Sequence, residues 1–137
     1  MLPALTPAET PRLFRGAYGI GSRDFRPEHT LGAYEFSTGQ SRRTDGRSAA
    51  DGAEVFTFAL NLMREHVKPT ARMHYVVTDA GDVPNVVPTY ARVWCWLRDV
   101  NATGVNHLLE RARHIAEAAA LTTGTTSRLT VQSGSWE

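Results

Sequence analysis

The stretch of residues 83–99, VPNVVPTYARVWCWLRD, decides the fold of this chain. From residue 91 to residue 98, Ala, Val, Cys and Leu alternate with Arg, Trp, Trp and Arg. A period of two, rich in Val and Trp, is typical of a strand that has one apolar face. We therefore predict a strand over residues 91–98, with its Ala, Val, Cys and Leu side chains in the core.

Two prolines shape the segment before this strand. Pro84 and Pro88 fix φ and remove backbone donors, which predicts a rigid, extended turn that holds Asn85 in a defined direction. Arg98 ends the strand that follows, and an amide and a guanidinium on a stiff scaffold are suited to binding a carboxylate. Two alternatives remain open from the pattern alone. Asn85 either caps its own turn or binds a ligand, and Arg98 is either a solvated strand end or a ligand-binding residue.

Two helices are indicated on either side of this stretch. Ser48, with Asp51 three residues on, forms an acidic variant of the capping box, and Pro69 marks the stop. The predicted apolar stripe consists of Ala49, Ala53, Phe56, Leu60, Met63 and Val67, with Phe58 and Leu62 widening it. A second helix begins near Thr103 and ends at Gly124, a natural C-cap. Its predicted stripe consists of Val105, Leu108, Ala112, Ile115 and Ala119.

Three further segments have strand patterns: residues 31–38, 71–78 and 127–133. The predicted order is strand, helix, strand, strand, helix, strand. Because each helix has one apolar stripe, both helices should cover one face of a four-stranded antiparallel sheet. The sequence thus predicts an α+β fold of the ferredoxin-like βαββαβ kind over residues 31–137. Residues 1–30 are interrupted by prolines and glycines and are predicted to be an irregular N-terminal segment.

The second face of this sheet would carry Arg92, Trp94, Trp96 and Arg98. Two tryptophans on a face that no helix covers indicate a partner, either another domain or another subunit. The alternative is that residues 1–30 fold over them.

Composition narrows the class of protein. A length of 137 residues is ordinary for one domain, and a net charge of +1 without long runs of like charge argues against nucleic acid and anionic membranes as partners. The single cysteine, Cys95, falls on the apolar side of a predicted strand, which suits a reducing compartment. With no signal-peptide pattern and no apolar run of membrane-spanning length, we expect a cytoplasmic location.

The sequence shows no local catalytic motif. The five histidines lie at positions 29, 66, 74, 107 and 114, and no two are three to five residues apart, as metal ligands often are. A Gly-x-Ser-x-Gly motif is missing, and Cys95 is expected to point into the core. We therefore predict no catalytic residue and no metal ligand, and the chain alone is not expected to be an active enzyme.

Six pieces of sequence, in order, carry a resemblance to a known family. They are residues 46–51 (GRSAAD), 64–66 (REH), 72–75 (RMHY), 78–81 (TDAG), 84–88 (PNVVP) and 112–124 (ARHIAEAAALTTG). Together they resemble the lid, or dimerisation, domain of the M20 family of zinc peptidases and amidohydrolases. The resemblance covers about residues 31–135 and is greatest to the aminobenzoyl-glutamate and indoleacetyl-amino-acid hydrolase branch.

This resemblance implies that catalysis and dimerisation belong to two different domains. In that family, a separate catalytic domain holds the zinc and a Glu base, while the ferredoxin-like lid pairs with a second lid to form a homodimer and closes over the substrate. For Asn85 and Arg98 it implies a role in holding the substrate carboxylate. Zinc would be a cofactor of the catalytic domain only, and this chain would hold no cofactor.

Two departures from the family are visible. The loop at residues 39–45, GQSRRTD, is short and lacks the histidine that the lid usually supplies to a neighbouring active site. Nothing in the chain resembles the zinc domain. We expect an isolated or truncated lid domain of an M20-type amidohydrolase, an enzyme class that hydrolyses N-acyl amino acid amide bonds. Its expected partners are a second copy and a zinc catalytic domain or subunit. The alternative is a free-standing ferredoxin-like module that binds a small carboxylate or a protein partner.

Overall fold

The computed structural model describes residues 29–38 and 46–133. Its strands are β1 (His29–Ser37), β2 (Arg72–Asp79), β3 (Tyr90–Arg98) and β4 (Thr126–Ser133). Its helices are α1 (Ala49–Met63), which continues into one 3-10 turn (Arg64–His66), and α2 (Ala102–Thr123). The predicted irregular segment, residues 1–30, lies outside the described residues except for the two that begin β1.

The four strands form one antiparallel sheet in the order β2-β3-β1-β4. Helix α1 packs against β3 and β1, and helix α2 packs against β4, β1 and β3. The element order and this strand order define a ferredoxin-like α+β sandwich, so the predicted fold class is confirmed. Strand β3 lies inside the sheet and pairs with β1 on one side and β2 on the other.

The core follows the predicted alternation in β3. Ala91, Val93, Cys95 and Leu97 are each at most 1% exposed. They pack with an aromatic cluster in which the Phe56 ring of α1 lies 4.5 Å from Tyr34 and 5.8 Å from Phe36, both on β1. Full burial of a large apolar side chain contributes about 1.5–3 kcal/mol, and each aromatic pair about 0.5–1.5 kcal/mol more. These contacts join α1 to the centre of the sheet.

Most of the apolar stripe predicted for helix α1 is buried, but the prediction was wrong for two residues. Ala49, Ala53, Phe56, Leu60 and Met63 are buried, and Val67 is half-buried behind the 3-10 turn. Phe58 and Leu62, predicted to widen the stripe, are instead 66% and 53% exposed. Each lies two residues from a buried position, and because successive residues turn by about 100°, both point away from the sheet.

The predicted capping box at Ser48 is also corrected. Ser48 is the N-cap residue of α1, but its side chain makes no capping hydrogen bond. Instead, the Ala49 N–H donates to the Pro88 carbonyl at 2.9 Å. One of the free N–H groups at the start of the helix is thus satisfied by the loop between β2 and β3, a contact across the fold rather than along the chain.

Capping residues lie at both ends of helix α2. The Asn101 side chain accepts a hydrogen bond from the Gly104 N–H at 2.8 Å, and Gly124 ends the helix with φ at 67°. The left-handed conformation favours glycine, so the predicted C-cap at Gly124 is confirmed. Among the described residues, neither helix combines the length and the apolar character that a membrane crossing requires.

Asp99 ties the end of β3 to two other elements. One carboxylate oxygen accepts hydrogen bonds from the Thr70 hydroxyl and the Val100 N–H, both at 2.7 Å. These two bonds hold the pKa of Asp99 below its usual value. The other oxygen lies against Gly104 in the first turn of α2, at a place that a Cβ on Gly104 would overlap. Glycine is therefore required at position 104, because the Asp99 carboxylate lies too close to leave room for a side chain.

This packing predicts the effect of a methyl group. Gly104→Ala should lower the free energy of unfolding by about 1–3 kcal/mol, because the new Cβ overlaps the Asp99 carboxylate. In an Asp99→Gly background that obstacle is gone, and the same change should be neutral or stabilising by up to ~1 kcal/mol, since Ala favours helix over Gly. Urea denaturation of the four proteins in a double-mutant cycle measures the coupling. If Gly104→Ala lowers the free energy of unfolding equally in both backgrounds, the predicted overlap with Asp99 is wrong.

Candidate functional site

Asn85 lies in a tight turn between β2 and β3. The Val86 N–H donates to the Val83 carbonyl at 3.3 Å, so Pro84 and Asn85 occupy the two central positions. Proline suits the first of these because its fixed φ matches the turn. The closing bond is backbone to backbone, and the Asn85 side chain is exposed. The amide is therefore presented to solvent, and the turn closes without it.

The rest of this loop is held down by close contacts. Gly81 has φ at 104°, and a Cβ on it would lie 2.6 Å from the Pro88 ring. The Gly81 N–H donates to the Asp79 carboxylate at 3.3 Å, and the Pro88 carbonyl accepts from Ala49 as described. These contacts place Asn85 at the end of the domain where α1 and β3 begin.

Arg98 lies at the other end of the same strand. It is the last residue of β3, and its side chain is exposed. With a rise of about 3.3 Å per residue, the eight steps of β3 place its ends roughly 26 Å apart. Asn85 and Arg98 therefore do not converge within one chain and would contact different ligands, or different parts of one assembly. That each of them binds a carboxylate stays a prediction.

Three other basic side chains gather near Arg98. Arg72, the first residue of β2, lies directly opposite Arg98 in the β2–β3 register, and His74 lies opposite Trp96. Arg64, in the 3-10 turn after α1, also acts on this region. We name Arg64, Arg72, His74 and Arg98 the arginine corner. Within residues 29–38 and 46–133, neither Arg72 nor Arg98 forms an ion pair with a carboxylate.

The pKa of His74 reflects the positive charge of the arginine corner. Its pKa is lowered first by partial burial of the imidazole and then by the positive charges of Arg64, Arg98 and Arg72. Burial and neighbouring cations both disfavour the protonated ring, so the neutral form is favoured. The corner is thus a positively charged surface at the edge of the sheet.

Hydrogen bonds orient two of these arginines. The Arg72 Nη1 donates to the carbonyls of Pro69 and Ala71, the second at 2.8 Å. The Arg64 Nε donates to the Asn61 amide oxygen at 3.0 Å, and the Asn61 Nδ2 donates to the Tyr75 hydroxyl at 3.0 Å. The guanidinium of Arg72 is thereby held through one nitrogen, and its remaining N–H groups stay available for an anion.

The outer face of the sheet carries the residues that the sequence predicted. Arg92, Trp94 and Trp96 are half-buried there, and Arg98 is exposed. The Trp96 and His74 ring centroids lie 6.4 Å apart, so an aromatic surface adjoins the arginine corner. That this face contacts a partner stays a prediction.

The described residues hold no obvious hydrolytic chemistry. Cys95 is 1% exposed, and burial raises its pKa to about 12, so the thiol is protonated and enclosed. In the part of the chain that the structure describes, no three His, Cys, Asp or Glu side chains come together as a metal site. These residues therefore do not fit a zinc ion.

Sequence reasoning singled out Arg98 but missed Arg64, Arg72 and His74. Both strands were predicted, but their register was not. A turn centred on Pro84 and Asn85 would by itself place Arg98 opposite Ala71. The register shifts at the irregularity between Val77 and Asp79, and Arg98 lies opposite Arg72 instead.

The fold and the arginine corner define a class: a ferredoxin-like α+β domain with a cationic corner and, in its described part, no metal site. Sequence similarity to named proteins describes this class further. Over 82 residues, the chain is 43% identical to a subunit of the p-aminobenzoyl-glutamate hydrolase of Escherichia coli, a match that covers 59% of this chain and 17% of that protein. It is 32% identical over 82 residues to the mouse Xaa-Arg dipeptidase, covering 60% of this chain and 19% of that protein.

Solved structures show the same fold. An aminobenzoyl-glutamate utilization protein from Klebsiella pneumoniae matches 75% of this chain with a TM-score of 0.62 and 23% identity, over 27% of its own length. A hydantoinase/carbamoylase family amidase from Burkholderia ambifaria matches 75% of this chain with a TM-score of 0.66 and 10% identity, also over 27% of its length. No protein-family model matches the chain.

These matches confirm the predicted resemblance to part of an M20-type amidohydrolase. The chain aligns with less than a fifth of the length of the hydrolase and the dipeptidase. Its described domain has the same fold as about a quarter of each of these two solved structures.

The arginine corner predicts a change in a measurable pKa. Arg98→Gln should raise the pKa of His74 toward its ordinary value, because one of the positive charges that disfavour the protonated ring is removed. An NMR titration of the His74 ring measures this shift. Arg113→Gln, on the exposed side of α2, should leave it unchanged. A His74 pKa that ignores Arg98→Gln would contradict the described corner.

Proposed function

We propose that this chain supplies the lid and dimerisation part of an M20-type amidohydrolase that cleaves N-acyl amino acids. The observation that carries the proposal is the 43% identity to part of a hydrolase in a chain whose described domain is ferredoxin-like. Zinc and the catalytic base would come from a separate domain or subunit, because the described residues do not fit a metal site. This chain would bind and orient the substrate.

Within this proposal, Arg98 holds the carboxylate of the amino acid part of the substrate. Its guanidinium is exposed and, among the described residues, forms no ion pair. Arginine offers two parallel N–H donors whose spacing matches a carboxylate. The relative named for p-aminobenzoyl-glutamate acts on an acylated amino acid that carries carboxylates, which suits such a residue. Asn85, exposed at the other end of β3, would contact a different part of the assembled enzyme.

Removal of the Arg98 guanidinium tests this role. Arg98→Ala should abolish measurable calorimetric binding of N-acyl amino acids, since loss of a hydrogen-bonded charge costs about 1.5–3 kcal/mol, or roughly 10- to 150-fold in affinity. Because the side chain is exposed, circular dichroism should show an intact fold. Arg113→Ala is the matched control and should bind normally. Unchanged affinity in Arg98→Ala would exclude Arg98 as the carboxylate-binding residue.

We further propose that the homodimer forms through the edge strand β2. An edge strand presents unpaired backbone groups that can pair with a second copy. Strand β2 is one edge of the sheet, and it exposes adjacent valines, Val76 and Val77, each 44% exposed. The other edge, β4, is richer in polar residues and exposes Val131 alone among its apolar side chains, at 42%.

The two edges allow a matched comparison. Val77→Lys should convert the dimer to a monomer in sedimentation velocity, because a charge on the edge strand opposes pairing of that strand with a second copy. Val131→Lys introduces the same charge at an equally exposed valine on β4 and should leave the dimer intact. Dissociation by Val131→Lys alone would assign the interface to β4. A wild-type monomer would contradict the dimer itself.

A second candidate is a free-standing module that binds a small carboxylate or a protein partner. It is favoured by the exposed guanidinium of Arg98, which forms no ion pair among the described residues and could bind a carboxylate without a catalytic domain. Sequencing the DNA on either side of the reading frame discriminates between the two. A flank that encodes a zinc domain with His-x-Asp and Glu-Glu motifs supports the hydrolase, and flanks without one support the module. For either candidate we propose a cytoplasmic location, which the single buried cysteine suits.

A further inference from the structure

Two tryptophans occupy successive outward positions on the face of the sheet that is opposite the helices. Trp94 and Trp96 alternate with the buried residues of β3, which is an inner strand. Both side chains are half-buried, so part of each indole reaches solvent. The His74 ring of β2, 6.4 Å from the ring of Trp96, extends this aromatic surface toward the arginine corner. The outer face thus joins rings at its centre to positive charge at one end.

The charges on this face are unevenly distributed. In the register, Arg92 near the start of β3 lies between two acidic residues, Glu35 of β1 and Asp79 of β2. At the other end, Arg98 lies opposite Arg72, and neither forms an ion pair with a carboxylate among the described residues. The net charge of the whole chain, +1, does not reveal this local excess of positive charge. A low net charge therefore does not exclude an anionic partner at this end of the face.

We infer that the outer face of the sheet binds single-stranded nucleic acid, with bases stacked on Trp94 and Trp96 and backbone phosphates held by Arg72 and Arg98. This binding site goes beyond the proposed function and does not depend on it. RNA and DNA share the two chemical groups that the site would recognise, a flat base and a phosphate.

The position of the tryptophans favours bases as the ligand. Domains that bind single-stranded RNA on a four-stranded sheet do so with aromatic side chains that stack individual bases. Residues two apart on one strand are separated by roughly 6.6 Å, which is twice the rise per residue. Bases stacked on one another are only about 3.4 Å apart, so two neighbouring bases would have to separate, each lying on its own indole. A single strand allows this separation, whereas the bases of a duplex are already paired and stacked.

The arginine corner supplies contacts for the phosphates. An arginine binds a phosphate through two parallel N–H groups. The Nη1 of Arg72 is occupied by the carbonyls of Pro69 and Ala71, which leaves the edge formed by Nε and Nη2 available for such a contact. A phosphate would also reduce the repulsion between Arg72 and Arg98. Trp96 lies two residues before Arg98 on the same face, so a base on Trp96 would bring its own phosphate to the corner.

Fluorescence anisotropy of short labelled oligonucleotides, titrated with the full chain, tests the inference. The probes are an oligouridylate, an oligothymidylate and a DNA duplex of the same length. We expect both single strands to bind with a dissociation constant of about 10⁻⁵–10⁻⁴ M at physiological salt. The duplex should bind at least about fivefold more weakly, which corresponds to the loss of one base stack. Phosphate attraction alone would instead favour the duplex, because it carries more charge.

Substitutions separate stacking from charge. Trp96→Leu should weaken the binding of both single strands about 5- to 150-fold, because leucine stays apolar but has no ring, whereas Trp96→Phe should retain most of the affinity. Arg98→Gln should lower the slope of log affinity against log salt by about 0.7, the contribution of one phosphate contact on a single strand. Arg113→Gln, on the exposed side of α2, should alter neither quantity.

Three results would overturn the inference: no binding of any probe, a duplex that binds as tightly as the single strands, or unchanged affinity in Trp96→Leu. Circular dichroism checks the fold of that variant. If Trp96→Leu does not fold, Arg98→Gln at its exposed position still decides, because an unchanged salt slope excludes the phosphate contact. The proposed lid function is tested by the binding of N-acyl amino acids, so its failure and the failure of this inference are distinguishable.

Discussion

The pairing of β3 with a neighbour on each side is the constraint on which the rest of this structure depends. Its backbone is bonded to β1 and β2, and its inward side chains form the centre of the core. A strand held in this way has almost no freedom of register, because a slip of one residue would turn its buried side chains to solvent. Every feature attached to β3, from Asn85 before it to Arg98 at its end, inherits that rigidity.

The two ends of β3 are stabilised differently. At the Asn85 end, Gly81 and Pro88 pack closely, and the Pro88 carbonyl meets the first N–H of α1. At the Arg98 end, Asp99 joins Thr70 to the first turn of α2. These contacts anchor the backbone beside two exposed polar side chains. A rigid backbone fixes the position from which an exposed amide or guanidinium reaches a ligand, whereas the direction of the side chain itself depends on further contacts.

The arginine corner brings charges of the same sign together, and their repulsion destabilises the folded state. Two like charges in an opposed cross-strand pair disfavour folding, whereas the core of aromatic and aliphatic side chains favours it more strongly. Charge of one sign gathered at one edge points to a ligand of the opposite sign, since structural arginines are usually paired with carboxylates. The similarity to amidohydrolases and the local charge both support the proposal of a carboxylate ligand.

Local patterns in the sequence determined the strand and helix types, the buried face of β3 and the C-cap at Gly124, because side-chain periodicity and glycine conformation are properties of neighbouring residues. The same reasoning misplaced Phe58 and gave Ser48 a capping bond, since a helix's buried width and its cap depend on what packs against it. Only the tertiary structure decided that Arg72 opposes Arg98, that Asn85 lies at the far end of β3, and that Pro88 caps α1. Those relations join residues distant in sequence, and they exist only once the sheet has formed.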